Sequence, residues 1–404
     1  MRRYYLIDHK ILFLFGYIFY LFTPYIVGVS HAFKGFPGMD MYQGFFSLIP
    51  QDKLQAYILI TLSWLPAFYA GHFAYKLFAP YKRSLQLFPA SYTSQGTSHV
   101  AVLLTGVLIL FTYISKNSLL GNYQLYDSGA RGKMSTLLVI FNFFLLYQLV
   151  SKQKVSYVLI AGTLITAVLL LSMGGRMYVI QTFIIYLVYK TSFATGRWTL
   201  IQIVLFAVLA LFVGSWVGTF RMGTAFNLNR GLYSLMAEPV FTWFSTSTFL
   251  IANNIPVVNF PANFLTSFLN LVPNTIISFK SYVVSTQGMG YVYQNPLGAD
   301  SVWSTFVINF GSVGSFFFLF ITGFMMNFLR HLSENNRFWA VYYIMVCGIL
   351  PFQFFRDGFY IVNKQLFFNF LLLPVLILIV LKFVQYGQSL FETNFYAKKT
   401  VAGS

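Results

Sequence analysis

The sequence predicts an all-α, polytopic integral membrane protein with about ten transmembrane helices and one long outer loop. Three observations predict it. Of 404 residues, 57 % are hydrophobic and only 9 % are charged, whereas a soluble domain needs about a quarter charged residues to cover its surface. Apolar runs of roughly 20 residues, the length that crosses a bilayer, recur along the chain. Phe and Tyr are abundant, at 48 and 28, which suits lipid-facing and interfacial belts.

The first run, 11–30, follows Met1-Arg2-Arg3 with no A-x-A cleavage pattern. It reads as a retained span and not as a signal peptide. Further runs lie at 54–78, 99–115, 134–151, 155–173, 177–190, 199–217, 302–329, 338–355 and 365–384. Pro24 and Pro66 fall inside spans and are expected to kink them. No internal repeat stands out, which argues against an inverted-repeat transporter. The chain divides into a first bundle of seven spans (1–217), a long outer segment (218–301) and a bundle of three spans (302–404).

Lys and Arg in short loops set orientation. With the N-terminus in the cytoplasm, the cytoplasmic segments hold Arg2, Arg3, Lys10, Lys76, Lys82, Arg83, Lys152, Lys154, Lys190, Arg197, Arg330, Arg337, Lys382, Lys398 and Lys399. An even number of spans returns the C-terminus to that side. The net charge of +17 is therefore read mainly as a topology signal, not as a nucleic-acid footprint. The single cysteine, Cys347, excludes an intrachain disulfide framework.

The outer side carries Arg131, Arg176, Arg221, Arg230 and Arg356 at span ends or in the loops between them. Its acids are Asp40, Asp52, Asp127, Glu238, Asp300 and Asp357. Arg176 follows Gly174-Gly175, small residues that permit close approach of a backbone or a ligand. A guanidinium presents a planar fork of donors that matches phosphate oxygens, so such a set suits a lipid-linked pyrophosphate. The plainer reading of each arginine alone is snorkelling to phospholipid head groups. The segment 218–301 holds aromatic stretches such as Val240–Phe244 and Phe264–Leu269. They read as interfacial helices folded over a cavity, with 262–280 and a neighbouring stretch as an alternative extra pair of spans.

Several chemistries have no sequence support. There is no G-x-x-x-x-G-K-[ST] loop for ATP. There is no H-E-x-x-H or Cys/His cluster for zinc, and no D-x-D pair to hold a divalent ion on a nucleotide sugar. No metal and no cofactor is expected. The five histidines (His9, His31, His72, His99, His331) are scattered, and the spans are nearly free of the carboxylates that ion-coupled transporters keep.

The stretch Pro296-Leu297-Gly298-Ala299-Asp300-Ser301-Val302-Trp303-Ser304-Thr305-Phe306-Val307-Ile308-Asn309-Phe310-Gly311-Ser312-Val313-Gly314 resembles a signature of the Wzy-type O-antigen and capsule repeat-unit polymerases. The Gly-Gly-Arg turn at Arg176, the outer Arg221 and Arg230, the long outer loop and Arg356 before the last span fit the same pattern. Many relatives carry a Glu where this chain has Ser304 or Thr305. The resemblance implies a GT-C-like fold in a bacterial inner membrane. It implies glycosyl transfer between undecaprenyl-pyrophosphate-linked oligosaccharides, which serve as donor and acceptor at the periplasmic face, with a chain-length regulator protein as a further partner. Within that chemistry Arg176, Arg221, Arg230, Arg356 and Arg131 are the candidate pyrophosphate ligands. Asp300, Glu238 and Asp357 are the candidate acceptors of the hydroxyl proton. The rivals are an O-antigen ligase, which uses outer arginines with a histidine, and a non-catalytic flippase of lipid-linked sugars.

Overall fold

The computed structural model describes residues 6–32, 39–78, 94–114, 128–194, 198–221, 227–272, 276–277, 289–294, 300–384 and 386. Arg2, Arg3, Lys82, Arg83, Asp127, Arg197, Lys398, Lys399 and the motif residues Pro296–Ala299 lie outside them. Among the described residues the chain is helical and contains no strand. The main helices are α1 (His9–Ser30), α2 (Met39–Ser47), α3 (Gln51–Phe78), α4 (Ser94–Ile114), α5 (Ser128–Val150) and α6 (Tyr157–Ser172). They continue with α7 (Arg176–Val188), α8 (Leu200–Arg221), α9 (Leu228–Ala252), α10 (Val302–Asn335), α11 (Arg337–Ile349) and α12 (Phe359–Val384).

Nine of the ten predicted runs each fall mainly on one helix, and the tenth, 338–355, is divided between two. Helices α1, α3, α5, α10 and α12 are long and apolar enough to cross a membrane, while α4, α6, α8 and α11 contain shorter apolar stretches. Their outward faces expose large apolar side chains, among them Leu59, Phe73, Ile109, Leu164, Leu205 and Ile379. Such a surface is unfavourable in water and suited to lipid.

The prolines act as their chemistry requires. Pro24 cannot donate a backbone hydrogen bond, and α1 meets it with a π-turn over Ile18–Phe22. Pro66 is accommodated inside the continuous α3. The 338–355 run is not one helix: α11 stops at Ile349 and a short helix, Gln353–Arg356, follows.

Two features hold the bundle together. Helices α3 and α10 cross where Gly71 and Gly323 remove the side chains that would separate them, the small-residue packing that membrane helices use. The Trp64 indole N–H donates to Ser315 Oγ at 3.0 Å across the same interface. Helix α5 runs through the centre, with Phe141, Phe143, Phe144 and Leu146 fully buried. Described residues of both segments, such as Phe13, Phe68 and Phe141 with Tyr343 and Phe370, belong to one core, which Trp243 of α9 also joins.

At one end of this core Asp8 pairs with Arg330 at 3.1 Å and Lys10 at 3.4 Å. Ser192 reaches the Ile7 carbonyl, and the Tyr189 hydroxyl reaches the Leu149 carbonyl. The segments bearing Lys10, Lys152, Lys190 and Arg330 therefore meet at this end.

The segment 218–301 departs most from expectation. Residues 228–252 form the single helix α9, which continues through Pro239 and buries Thr242 and Ser245–Thr248 against its neighbours. Glu238 sits in the middle of this helix. The 262–280 stretch contributes two short turns, Ala262–Thr266 and Ser267–Leu271, and its described residues form no long helix. Asn363 Nδ2 donates to Ser267 Oγ and Asn270 Nδ2 to the Tyr360 carbonyl, both at 2.7 Å, which docks these turns on α12.

The Asn309-Phe310-Gly311 motif marks a break in α10. Gly311 has φ of 73°, a conformation open mainly to glycine, and a Cβ there would meet the Val257 backbone. The new helix start is satisfied from outside: the Ser312 and Val313 N–H groups donate to the Pro256 and Val257 carbonyls at 2.9 and 3.0 Å.

Candidate anion-binding site

The Gly-Gly-Arg turn is a helix stop followed by a helix start. The Gly175 N–H donates to the Leu170 carbonyl at 2.6 Å and the Gly174 N–H to the Leu171 carbonyl at 3.0 Å. This is the paired closure of a Schellman motif, with Gly174 supplying the left-handed residue at φ of 81°. The glycines thus end α6 and place Arg176 as the first residue of α7. A cation at a helix N-terminus is unfavourable on dipole grounds, so the guanidinium needs an anion nearby.

That anion is Glu238. Arg176 Nη2 donates to Glu238 Oε1 at 2.6 Å, and Arg176 Nη1 donates to Ser234 Oγ, one turn earlier on α9, at 3.0 Å. Arg356, at the end of its own short helix, donates from Nε to Glu238 Oε2 at 2.6 Å and from Nη1 to Asp357 Oδ1 at 2.9 Å. Two guanidinium groups from separate helices therefore converge on opposite oxygens of one carboxylate.

The electrostatics separate the two acids. Burial works against ionisation of Glu238, but Arg356 and Arg176 outweigh it and hold the carboxyl down to about 2. A group that acidic is a poor proton acceptor. Burial moves Asp357 the other way, above its ordinary value, even against Arg356.

The other predicted site residues fall around this centre to different degrees. Asp300 is buried, accepts from the Tyr293 hydroxyl at 3.1 Å, and lies against Gly358, so it borders the backbone that follows Asp357. Arg131 and Asp357 act electrostatically on the same Tyr178 ring, in the first turn of α7. Arg230 is exposed in the first turn of α9, its N–H capped by Asn227 Oδ1. It shares a helix face with Ser234 and Glu238 at i, i+4 and i+8, about 12 Å along the axis from Glu238. Arg221 ends α8, and its side chain lies outside the described residues.

Beside the ion cluster is a cavity of about 240 Å³, walled by apolar side chains including Phe15, Phe19, Ile180, Leu211 and Phe352, with Arg176, Ser234 and Glu238 at its polar corner. Phe15 and Phe19 belong to α1, so this helix packs beside the cavity and the ion cluster.

The sequence reading missed Tyr20. It lies in the π-turn of α1, is buried, and its hydroxyl has no hydrogen-bond partner among the described residues. It is near enough to feel the charges of Glu238, Arg356, Asp357 and Arg176. The only sequence signal was Pro24 four residues on, which favours a distorted turn.

A second polar group, at the basic end, joins histidines that look scattered in sequence. His9 Nε2 lies 3.0 Å from His72 Nδ1, and His9 Nδ1 lies 2.8 Å from the Tyr343 hydroxyl. Among the described residues no cluster of three or more His, Cys, Asp or Glu could hold a metal ion.

Comparison with protein-family models, with curated proteins and with solved structures finds no match to this chain.

Proposed function

We propose that this chain is a metal-independent glycosyltransferase that polymerises oligosaccharide repeat units carried on a polyprenyl pyrophosphate. In this reading it is a GT-C-like protein that crosses a bacterial inner membrane about ten times with both termini in the cytoplasm, and the site opens to the periplasm. The supporting observation is the convergence of Arg176 and Arg356 from separate helices beside an apolar cavity. Arginines pointing apart into lipid or water would have left no diphosphate site.

The chemistry follows from charge. The acceptor hydroxyl attacks C1 of the donor sugar, and the C1–O bond to the diphosphate breaks with its electron pair leaving on phosphate. Guanidinium groups held in a water-poor site stabilise that growing charge more in the transition state than before it. The proton of the attacking hydroxyl passes to a carboxylate. Asp357, raised by burial, and the neighbouring Asp300 suit this better than Glu238, whose basicity the two arginines lower. The cavity offers room beside the arginines for part of the lipid chain.

His31, the histidine a ligase reading would use, is exposed at the end of α1 and is no contact of the Arg176–Glu238–Arg356 cluster. The test is chain length. Cells carrying Arg176→Ala, with normally inserted protein, should make single repeats and no long chains, and normal long chains would end the proposal. Purified protein joining two lipid-linked repeats separates this enzyme from a flippase.

A further inference from the structure

The acid that neutralises the two arginines occupies the position that the proposed substrate needs. We propose that Glu238 is a built-in occupant of an oxyanion seat formed by Arg176, Arg356 and Tyr20, and that a diphosphate enters by displacing it. The inference rests on the reading above and adds how the site is kept before substrate arrives.

Four observations carry it. First, the Glu238 carboxylate is gripped on both oxygens by guanidinium groups from opposite sides, the arrangement in which arginines hold a phosphate. Second, among the described residues the arginines leave donors unused. Each has five N–H donors, and among the described residues Arg176 commits two, one of them to a neutral serine hydroxyl, and Arg356 commits two. A diphosphate has more acceptor oxygens than a carboxylate and fills such a donor set better. Third, the buried Tyr20 hydroxyl has no hydrogen-bond partner among the described residues, and its ring stacks at 6.2 Å on Phe355, the residue before Arg356. A buried unpaired polar group is costly, and the π-turn that carries it is a deformation common at functional sites. Fourth, the apolar cavity opens on this corner, with Arg176, Ser234 and Glu238 on its wall. A ligand with an anionic head and an apolar tail matches that distribution.

Glu238 is in mid-helix, and its side chain can rotate away from the arginines once a stronger anion competes for them. Glu238 faces Arg176 from α7, Arg356 and Asp357 from the segment before α12, and Tyr20 from α1. Once displaced, it loses both cations, stands beside an anion and takes up a proton.

The test measures binding of inorganic pyrophosphate and of farnesyl diphosphate to the full chain in nanodiscs of uncharged lipid, comparing native protein with Glu238→Gln. The amide keeps the side-chain shape and removes the competing charge. Glu238→Gln should bind both probes at least about tenfold more tightly, and the native protein alone should take up a proton on binding. Equal or weaker binding by Glu238→Gln overturns the occupant, while diphosphate binding by native protein would leave the proposed function standing. If neither protein binds either probe, both readings fall. Tighter binding of farnesyl diphosphate than of pyrophosphate assigns the seat to an amphiphile, and equal binding assigns it to a free oxyanion. Should Glu238→Gln not fold, Glu238→Asp keeps the charge but is too short to span both arginines. It should also bind more tightly than native protein, and unchanged affinity overturns the proposal. Tyr20→Phe should weaken both probes several-fold without lowering ligand-free thermal stability, because its hydroxyl has no partner to lose until the ligand arrives. Unchanged affinity removes Tyr20 from the seat.

Discussion

Gly71 of α3 and Gly323 of α10 face each other where the two helices cross, and neither position has room for a Cβ. An added methyl at Gly71 would strike the Phe320 carbonyl, and one at Gly323 the Phe68 carbonyl. The obstacle is main chain on both sides, so no rotamer change relieves it. Gly323→Val is expected to destabilise the protein by about 3 kcal/mol or more, the upper range for overpacking. Thermal unfolding in detergent should show the loss, while the same change at Gly106, which has nothing within 4 Å, should be nearly silent.

The two arginines of the anion site are not equivalent. Arg356→Ala removes the ion-pair partner of Asp357 and one of the two partners of Glu238, whereas Arg176→Ala leaves Glu238 held by Arg356. Breaking a buried pair costs about 3–5 kcal/mol. Arg356→Ala should reach that range and Arg176→Ala should fall below it. Denaturant unfolding of both variants gives the order, and equal losses would contradict the shared-carboxylate geometry.

Acid should weaken the native protein through Glu238. Its carboxyl is depressed from 4.5 to about 2 on folding. The stability it contributes is therefore complete above 4.5 and lost as pH falls towards 2. The full contribution is on the order of 3 kcal/mol. Stability measured from pH 6 to pH 2.5 should fall more steeply for native protein than for Glu238→Gln. Parallel curves would show that the arginines do not hold this carboxyl in its charged form.

At the other end of the bundle, His9 joins Tyr343 and His72 in one buried chain. Single replacements strand a polar partner, at about 1–3 kcal/mol each. His9→Leu and His72→Leu together should cost less than the sum of the two single changes, and a double-mutant cycle on thermal stability reads that coupling. Additive losses would mean that the two rings do not share a hydrogen bond in solution.

Much of this arrangement was legible in the sequence, for stated physical reasons. Long apolar runs announce helices because lipid leaves no other way to satisfy the backbone, and helices occupy those runs. Arg176, Arg356, Glu238 and Asp357 were visible as charges out of place in an apolar chain, and they meet. Helix α9 was not legible. Its Ser245–Thr248 stretch lowers the hydropathy, and Glu238-Pro239 reads as a break, although burial of the hydroxyls and packing of the proline keep the helix whole. The His9–His72 contact joins residues 63 positions apart, and no local pattern encodes such a pairing. Tyr20 is one tyrosine among 28. Its buried hydroxyl has no partner among the described residues, as is also true of Tyr186, and what distinguishes it is its place against Phe355, next to Arg356.

The break at Gly311 gives α10 the character of two rods joined by a splice. The second rod is anchored to α3 by the glycine crossing. Its leading amides are answered by the strap at Pro256 and Val257, just after α9, and the Asn259 N–H returns a bond to the Phe310 carbonyl at 3.3 Å. The helix that carries Glu238 is thereby tied, by three bonds, to the rod packed at the glycine crossing. Any sliding of α9 that accompanied a change of anion would have to bend this strap, so the joint sets how far the carboxylate's own scaffold can travel.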